Sequence, residues 1–234
     1  MTFTNSPSRA ALHTKPPTRT ALVAGATGLV GKEVLALLLA DASYSAVHAV
    51  GRRAPVANHP KLVVHLSASL ANWSCPAVDD VFIALGTTIK VAGSKAAFKA
   101  IDGDAVLAIG SAAKAAGATR LAVVSAMGAD PKSGVFYNQV KGEIEAAVSA
   151  LGFDCVVIAR PSLLAGDRDA LKQTERPAEK LSLVAFKLLR PLIPANYRAI
   201  QASSVARAMV GTLQTAGKGR LVLLSGDMQP QVRR

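Results

Sequence analysis

The sequence is poor in several things at once, and each shortage excludes something. Cys75 and Cys155 are the only two cysteines in 234 residues. A disulfide framework and a cysteine-based zinc site are therefore excluded, and Cys155, inside the apolar run 153–159, reads as a small buried hydrophobe. Aromatic residues make up 4% of the chain, so Ala, Val and Leu have to fill the core. No uncharged apolar run approaches the roughly 18 residues that a membrane-spanning helix needs. Acidic residues are scarce as well, 15 against 27 Lys and Arg, for a formal charge of +12. That excess is uneven: three basic and no acidic residues over 1–19, twelve and eleven over 20–167, twelve and four over 168–234. A domain that wraps nucleic acid gathers its basic residues on a recognition element with a fold signature. None is present, and no nucleic-acid partner is expected.

What is there is an alternation. The first nineteen residues mix Ser, Thr and Pro with Arg9, Lys15 and Arg19 and show no hydrophobic period, so they read as a disordered leader. Their acid-free composition has a flavour of a transit peptide, but three prolines spoil the amphipathic helix such a signal uses. A plain extension and a cytoplasmic protein are expected. From Thr20 onward, short β-branched runs alternate with Ala-rich helical stretches, the pattern of a parallel sheet covered on both faces by helices. Strands are predicted near 20–25, 46–51, 62–66, 80–85, 119–125, 153–159 and 220–224, and helices near 29–40, 93–101, 103–116, 137–151, 178–190 and 203–215. The runs 81–85 and 153–159 are apolar on both faces, as buried parallel strands are. The fold class is α/β with a doubly wound parallel sheet. The expected division is a leader over 1–19, one domain over 20–225 with substrate-cleft elements within 162–200, and a tail over 226–234.

The strongest local motif is ALVAGATGLVG, residues 21–31, running from an apolar strand into the helix KEVLALLLA. Gly25 permits a tight turn, Gly28 lets the backbone approach a pyrophosphate, and Gly31 lets the helix pack closely. The first helical N–H groups then face phosphate oxygens, where the helix dipole favours negative charge. At the end of the second strand, His48-Ala-Val-Gly-Arg52-Arg53 has no acid to hold a ribose 2′-hydroxyl and two arginines instead. A guanidinium fork suits a 2′-phosphate, which points to NADP rather than NAD. As bare charges, Arg52 and Arg53 would simply be solvated at a strand end.

Tyr137 and Lys141 are four apart on a predicted helix and share a face. A Lys141 ammonium beside the phenol would favour phenolate and lower its pKa, making a proton donor or acceptor usable near neutrality. Ser125, at the end of the preceding strand, is positioned to hold a substrate carbonyl oxygen. Alone, a Tyr and a Lys at this spacing are an ordinary helix surface pair; the glycine loop is what gives them meaning.

Together these residues resemble the short-chain dehydrogenase/reductase superfamily from about residue 20 to 215. The likeness is greatest to its atypical, NmrA-like members, typified by the human Tat-interactive oxidoreductase. The carrying segments are ALVAGATGLVG, VGRR, FIALGTT, KAAFKAIDGDAVL, VVSAMGAD, YNQVKGEIE and ARPSLLAGDR. The resemblance implies a single Rossmann-fold domain with a small C-terminal part covering the substrate. It implies a phosphate loop of Gly25, Thr27, Gly28, Leu29, Val30 and Gly31, with Arg52 and Arg53 on the 2′-phosphate of NADP. Leu85, Gly86 and Thr87 would line the adenosine and ribose path, Lys141 would also touch the ribose, and Pro161, Ser162 and Leu163 would border the nicotinamide. Tyr137 and Lys141 would be the acid/base pair. One departure stands out: members commonly carry a second hydroxyl residue after the serine matching Ser125, and here that residue is Ala126. Ser133 is the substitute the following loop offers.

Other residues have plainer readings. His13, His48, His59 and His65 have no helical pairing and no carboxylate cluster, so packing or surface roles are expected and a metal is not. Asp102 and Asp104 are read as helix caps. The apolar run from Leu181, with Lys187 and Arg190, is expected to pack on the substrate cleft or a partner subunit rather than lie on a membrane. The leading function is hydride transfer between NADP and a carbonyl or alcohol substrate of unidentified structure. A sensor that binds NADP without turnover is the runner-up, but has no chemical need for Tyr137 and Lys141. A nucleotide-sugar epimerase is disfavoured, because only about 70 residues follow the sixth strand. A second copy of the chain is the remaining partner the reading admits.

Overall fold

The structure is a computed structural model and describes residues 18–70, 73–165 and 194–230. Most of the leader, the predicted helix over 178–190, the apolar run from Leu181 and the end of the tail lie outside the described residues.

Nine strands are described: β1 Arg19–Ala24, β2 Tyr44–Gly51, β3 Leu62–Leu66, β4 Asp80–Ile83, β5 Arg120–Val124, β6 Cys155–Arg160, β7 Leu164–Ala165, β8 Ile200–Gln201 and β9 Gly219–Leu224. Seven form one sheet in the order β3-β2-β1-β4-β5-β6-β9, parallel throughout. The helices are α1 Leu29–Ala40, α2 Ile89–Ala92, α3 Lys95–Lys99, α4 Ala105–Ala115, α5 Phe136–Ser149 and α6 Ala202–Thr215. β7 and β8 make a separate two-stranded parallel pair. This is the Rossmann-type α/β architecture.

The two-residue period of each strand divides the core into two layers. Val23, Ala49, Phe82 and Val157 pack with Val34, Leu38, Val205 and Met209 of α1 and α6. Leu22, Val50, Val81, Ile83 and Ile158 pack with Val106, Ile109, Ile144 and Val148 of α4 and α5. Full burial of one such side chain contributes about 1.5–3 kcal/mol, and β1, β4, β5 and β6 supply several each. The two apolar runs singled out in the sequence became β4 and β6, sandwiched as expected.

The chain moves outward from β1 to β2 and β3, then returns to place β4 on the other side of β1. That reversal opens a crevice at the carboxyl ends of β1 and β4, where ligands of doubly wound sheets bind.

The helices predicted over 93–101 and 103–116 join into one helical run from Lys95 to Ala115, and a further short helix, α2, precedes it. Thr88 caps α2 by accepting from the Val91 N–H at 3.1 Å, Gly93 ends it at φ +86°, and Ser94 caps α3 by accepting from the Ala97 N–H at 3.0 Å. A wider π-helical turn over Ala100–Asp104 then joins α3 to α4. Neither Asp102 nor Asp104 caps a helix, because the backbone is helical on both sides of them and leaves no free N–H to cap.

At the opposite end of the sheet, the Tyr44 hydroxyl donates to buried Asp80 at 2.6 Å and Arg19 pairs with the same carboxylate. Burial pushes the Tyr44 phenol well above its usual range.

Candidate active site

The glycine loop is built by contacts that leave no room for side chains at two of its three glycines. Gly25 takes φ +85°, and a Cβ on it would stand 2.5 Å from the Ala84 carbonyl oxygen beyond β4. A Cβ on Gly31 would stand 2.0 Å from the Gly25 carbonyl oxygen, so α1 sits directly on the turn. Gly28 differs. It is extended at φ −84° and ψ 171°, and a Cβ there would meet Gly25 O at 3.3 Å and little else of the protein. Its open side faces the crevice. α1 begins with no side-chain cap and no acid in its first turn, so its leading N–H groups present a positive dipole end to that space. A cradle shaped by absent Cβ atoms and an uncapped helix end fits the pyrophosphate of a dinucleotide.

The crevice is a cleft of about 490 Å³ lined by Gly28, Leu29, Val30, Leu85, Gly86, Thr87, Ser125, Tyr137, Lys141, Pro161, Ser162 and Leu163, with Val91, Asp102, Ala126 and Leu164 among others. Twelve of the sequence-selected residues thus meet in one space. Gly25 and Gly31 lie beneath it. Thr27 is exposed and borders a neighbouring groove on the outer flank of α1. Arg52 lines an adjoining cavity of about 420 Å³ that shares Leu85 with the cleft, and Arg53 is exposed beside it. Ser133 accepts from the Val135 N–H at 3.2 Å at the entrance to α5 and does not line the cleft.

Tyr137 and Lys141 occupy one face of α5, as their spacing requires. The Tyr137 ring packs on Phe98 with centroids 5.3 Å apart. Lys141 Nζ lies 2.5 Å from Asp102 Oδ1, and the two side chains are 3% and 0% exposed. The Thr87 N–H donates to Asp102 Oδ2 at 2.8 Å. The consequence reverses one expectation. With the Lys141 charge compensated by Asp102, burial and then the Asp102 carboxylate push the Tyr137 phenol up to about 12; the lowering expected from an unopposed ammonium does not occur.

Ser125 has a different neighbour from the one expected. Its hydroxyl donates to Glu145 Oε1 at 2.5 Å. Arg160 donates to both Glu145 oxygens, at 2.9 and 2.6 Å, and Arg220 donates to Oε2 at 3.3 Å. Glu145 is one helical turn beyond Lys141 on the same face of α5, and 2% exposed. Ser125 thus borders the cleft while its hydroxyl is engaged behind it.

Glu145 is the polar residue that sequence reasoning passed over, and Asp102 the one it read as a cap. A signal existed. Asp102 falls on the helical stripe of Val106, Ile109 and Ala113, all buried, and Glu145 on that of Ile144 and Val148. A carboxylate inside an apolar stripe is held there by a partner. Of the histidines, His48 and His65 have ring nitrogens 2.9 Å apart across β2 and β3. Among the described residues, no group of three or more His, Cys, Asp or Glu is placed to hold a metal, and no helix is long and apolar enough to cross a membrane.

No protein-family model matches the sequence. Individual proteins do. HTATIP2 of Rattus norvegicus is 33% identical over 218 residues, covering 90% of this chain and 87% of its own. FMP52 of Coccidioides immitis is 32% identical over 230 residues, covering 92% of each. The chain belongs to the family of the HTATIP2 and FMP52 proteins. Solved structures show the same fold at low identity. A short-chain dehydrogenase family protein from Francisella tularensis matches 90% of this chain and 98% of its own with TM-score 0.63 and 17% identity. MoeE5 in complex with UDP-glucose and NAD matches 88% and 76% with TM-score 0.63 and 18% identity. One expectation is overturned by these relatives. The FMP52 proteins of Emericella nidulans, Coccidioides immitis and Chaetomium globosum are named mitochondrial, which points to mitochondria rather than the cytoplasm.

Proposed function

We infer that the protein is an NADP-dependent oxidoreductase acting on a carbonyl or alcohol substrate, with Tyr137 as the proton donor. The observation that carries this reading is the meeting of a phosphate-type helix N-terminus at Gly28–Val30 with Tyr137 and Lys141 in a single cleft. Leu29 and Val30 offer backbone N–H groups to the pyrophosphate, while the Gly28 N–H closes the turn on the Gly25 carbonyl at 2.9 Å; Arg52 and Arg53, at a strand end without an acid, take the 2′-phosphate. Thr87 and Lys141 border the ribose. When bound, the nicotinamide supplies the hydride. Tyr137 delivers its hydroxyl proton to the carbonyl oxygen, and the side of the cleft formed by Pro161, Ser162 and Leu163 keeps the reacting face apolar. Family relatives and dinucleotide-bound neighbours of the same fold support the cofactor class.

A second reading is favoured by one observation: the Ser125 hydroxyl is spent on Glu145, so the cleft has no serine free to hold a carbonyl. In that reading the chain binds NADP as a sensor without turnover. Isothermal titration of the full chain with NADPH and NADH, followed by an aldehyde and ketone panel read at 340 nm, separates the two. Tighter NADPH binding with turnover supports the enzyme. NADPH binding with no turnover across the panel supports the sensor, and equal affinity for both cofactors removes the NADP assignment.

A further inference from the structure

We propose that the substrate of the cleft is an uncharged, apolar carbonyl compound, an alkyl or aryl ketone or aldehyde bearing no carboxylate or phosphate, seated against Val91 of α2 and Leu163. The inference rests on the oxidoreductase reading and names its substrate class.

Three observations carry it. The first is the charge of the walls. Among the described residues lining the cleft, Asp102 and Lys141 are the charged ones, and they are engaged with each other, Oδ1 to Nζ at 2.5 Å. The nearby guanidinium groups lie elsewhere: Arg52 lines the adjoining cavity, and Arg160 and Arg220 close on Glu145 behind Ser125. An ionic group on the substrate would enter the cleft without a counter-charge, and the loss of its hydration would go uncompensated.

The second is the state of the hydroxyls. Those on the cleft wall belong to Thr87, Thr88, Ser125, Tyr137 and Ser162. Ser125 donates to Glu145 at 2.5 Å, and Ser162 donates to the Arg198 carbonyl oxygen and lies 2.9 Å from the Ser225 hydroxyl. Thr88 accepts from the Val91 N–H at 3.1 Å, and Thr87 donates weakly to the Thr88 carbonyl oxygen at 3.4 Å. The Tyr137 hydroxyl alone has no partner among the described residues. One such hydroxyl suffices for a carbonyl oxygen, whereas a sugar or other polyol would leave its remaining hydroxyls unmatched.

The third is the apolar rim. Val91 and Leu163 line the cleft from α2 and from the chain between β6 and β7, yet they are 70% and 63% exposed. Their backbones are fixed all the same. Thr88 and Gly93 bound the single turn that carries Val91, and the Ile200 N–H donates to the Leu163 carbonyl oxygen at 2.9 Å. Val124, Ala126, Pro161 and Leu164 continue the apolar surface inward. Anchored apolar side chains left in water around a concave site fit an apolar ligand.

The test uses two probes of matched shape, p-isopropylacetophenone and p-acetylbenzoate, which set an apolar branch against a carboxylate. Each is titrated by calorimetry into the full chain saturated with oxidised NADP, which cannot reduce a ketone. The neutral probe is expected to bind at least roughly tenfold more tightly. Equal affinity, tighter binding of p-acetylbenzoate, or binding of neither probe overturns the proposal. Leu163→Lys then places a cation at the rim and is expected to move the ratio of the two dissociation constants toward p-acetylbenzoate by about tenfold. An unmoved ratio in the folded variant overturns the seat at Leu163. Should that variant not fold, Val91→Lys is titrated in its place, with the same two outcomes for Val91. The NADP titration that precedes the probes keeps the two readings apart. Failure to bind NADP overturns the oxidoreductase reading and the proposal with it, whereas the wrong order of the probes in the loaded chain overturns the substrate class alone.

Discussion

Gly31 and Gly25 meet backbone to backbone: any Cβ on Gly31 would lie 2.0 Å from the Gly25 carbonyl oxygen. A Cβ on Gly28, three residues away, would stand 3.3 Å from the same oxygen, a tight contact but not a clash, and its backbone is extended, as any residue's can be. The two glycines therefore have separable roles. Gly31→Ala is expected to destabilise the fold by about 2 kcal/mol or more, since α1 must move off the turn. Gly28→Val is expected to leave the domain folded, with a smaller loss of melting temperature than Gly31→Ala, while abolishing NADPH binding, because its side chain enters the space of the pyrophosphate. Thermal melts and NADPH titrations of both variants check this; retained affinity in folded Gly28→Val would make the loop a structural turn only.

Tyr137 and Ser125 should part company in kinetics. Tyr137→Phe is expected to lower turnover of an identified carbonyl substrate by about 10²–10⁴-fold with NADPH affinity intact, the range of a lost general acid. Ser125→Ala is expected to be mild in turnover, because the hydroxyl is donated to Glu145. Its cost belongs in stability, about 1–3 kcal/mol, for a buried carboxylate deprived of a donor. A loss of turnover in Ser125→Ala equal to that in Tyr137→Phe would show that the serine leaves Glu145 when substrate arrives.

The charge at the end of β2 predicts cofactor choice. Arg52→Ala/Arg53→Ala is expected to weaken NADPH by roughly 1.5–3 kcal/mol for each lost charge-assisted contact and to leave NADH nearly unaffected. Calorimetry with both cofactors measures the difference directly, and parallel losses for the two would assign the arginines to something other than the 2′-phosphate.

Alkaline pH should undo the fold through its buried phenols. Tyr137 is pushed up to about 12 and Tyr44 higher still, both first by burial, whereas an unfolded chain ionises its tyrosines near 10. A raised folded-state value stabilises fully below the unfolded value and is lost as pH rises past it. For Tyr137 the window runs from about 10 to 12, with a loss of the order of 2 kcal/mol. Urea unfolding at pH 8 to 11.5 should show falling stability in the native chain and a shallower fall in Tyr137→Phe. A slope identical in the two would remove Tyr137 from the effect.

How much of this was written locally can be judged residue by residue. The alternation of β-branched and Ala-rich segments is a near-neighbour property, so the seven segments that became the large-sheet strands and the bounds of α1, α5 and α6 were legible to within a few residues, while the spatial order of the strands was not. The glycine spacing forced its turn because positive φ and absent Cβ atoms are intrinsic to glycine, and four residues between Tyr137 and Lys141 mean one helical face in any context. What the sequence alone did not decide was which charge would sit against which. Asp102 looked like a cap because Asp near a helix start usually is one; only the π-helical turn and the packing of α5 across from it made it the partner of Lys141. Ser125 could have faced either side of its strand end, and it was the placement of Glu145, held by Arg160 and Arg220, that engaged its hydroxyl. The direction of the Tyr137 shift followed from those placements. Burial and the sign of the nearest charge are set by residues distant in the chain, and they exist only once the layers have closed.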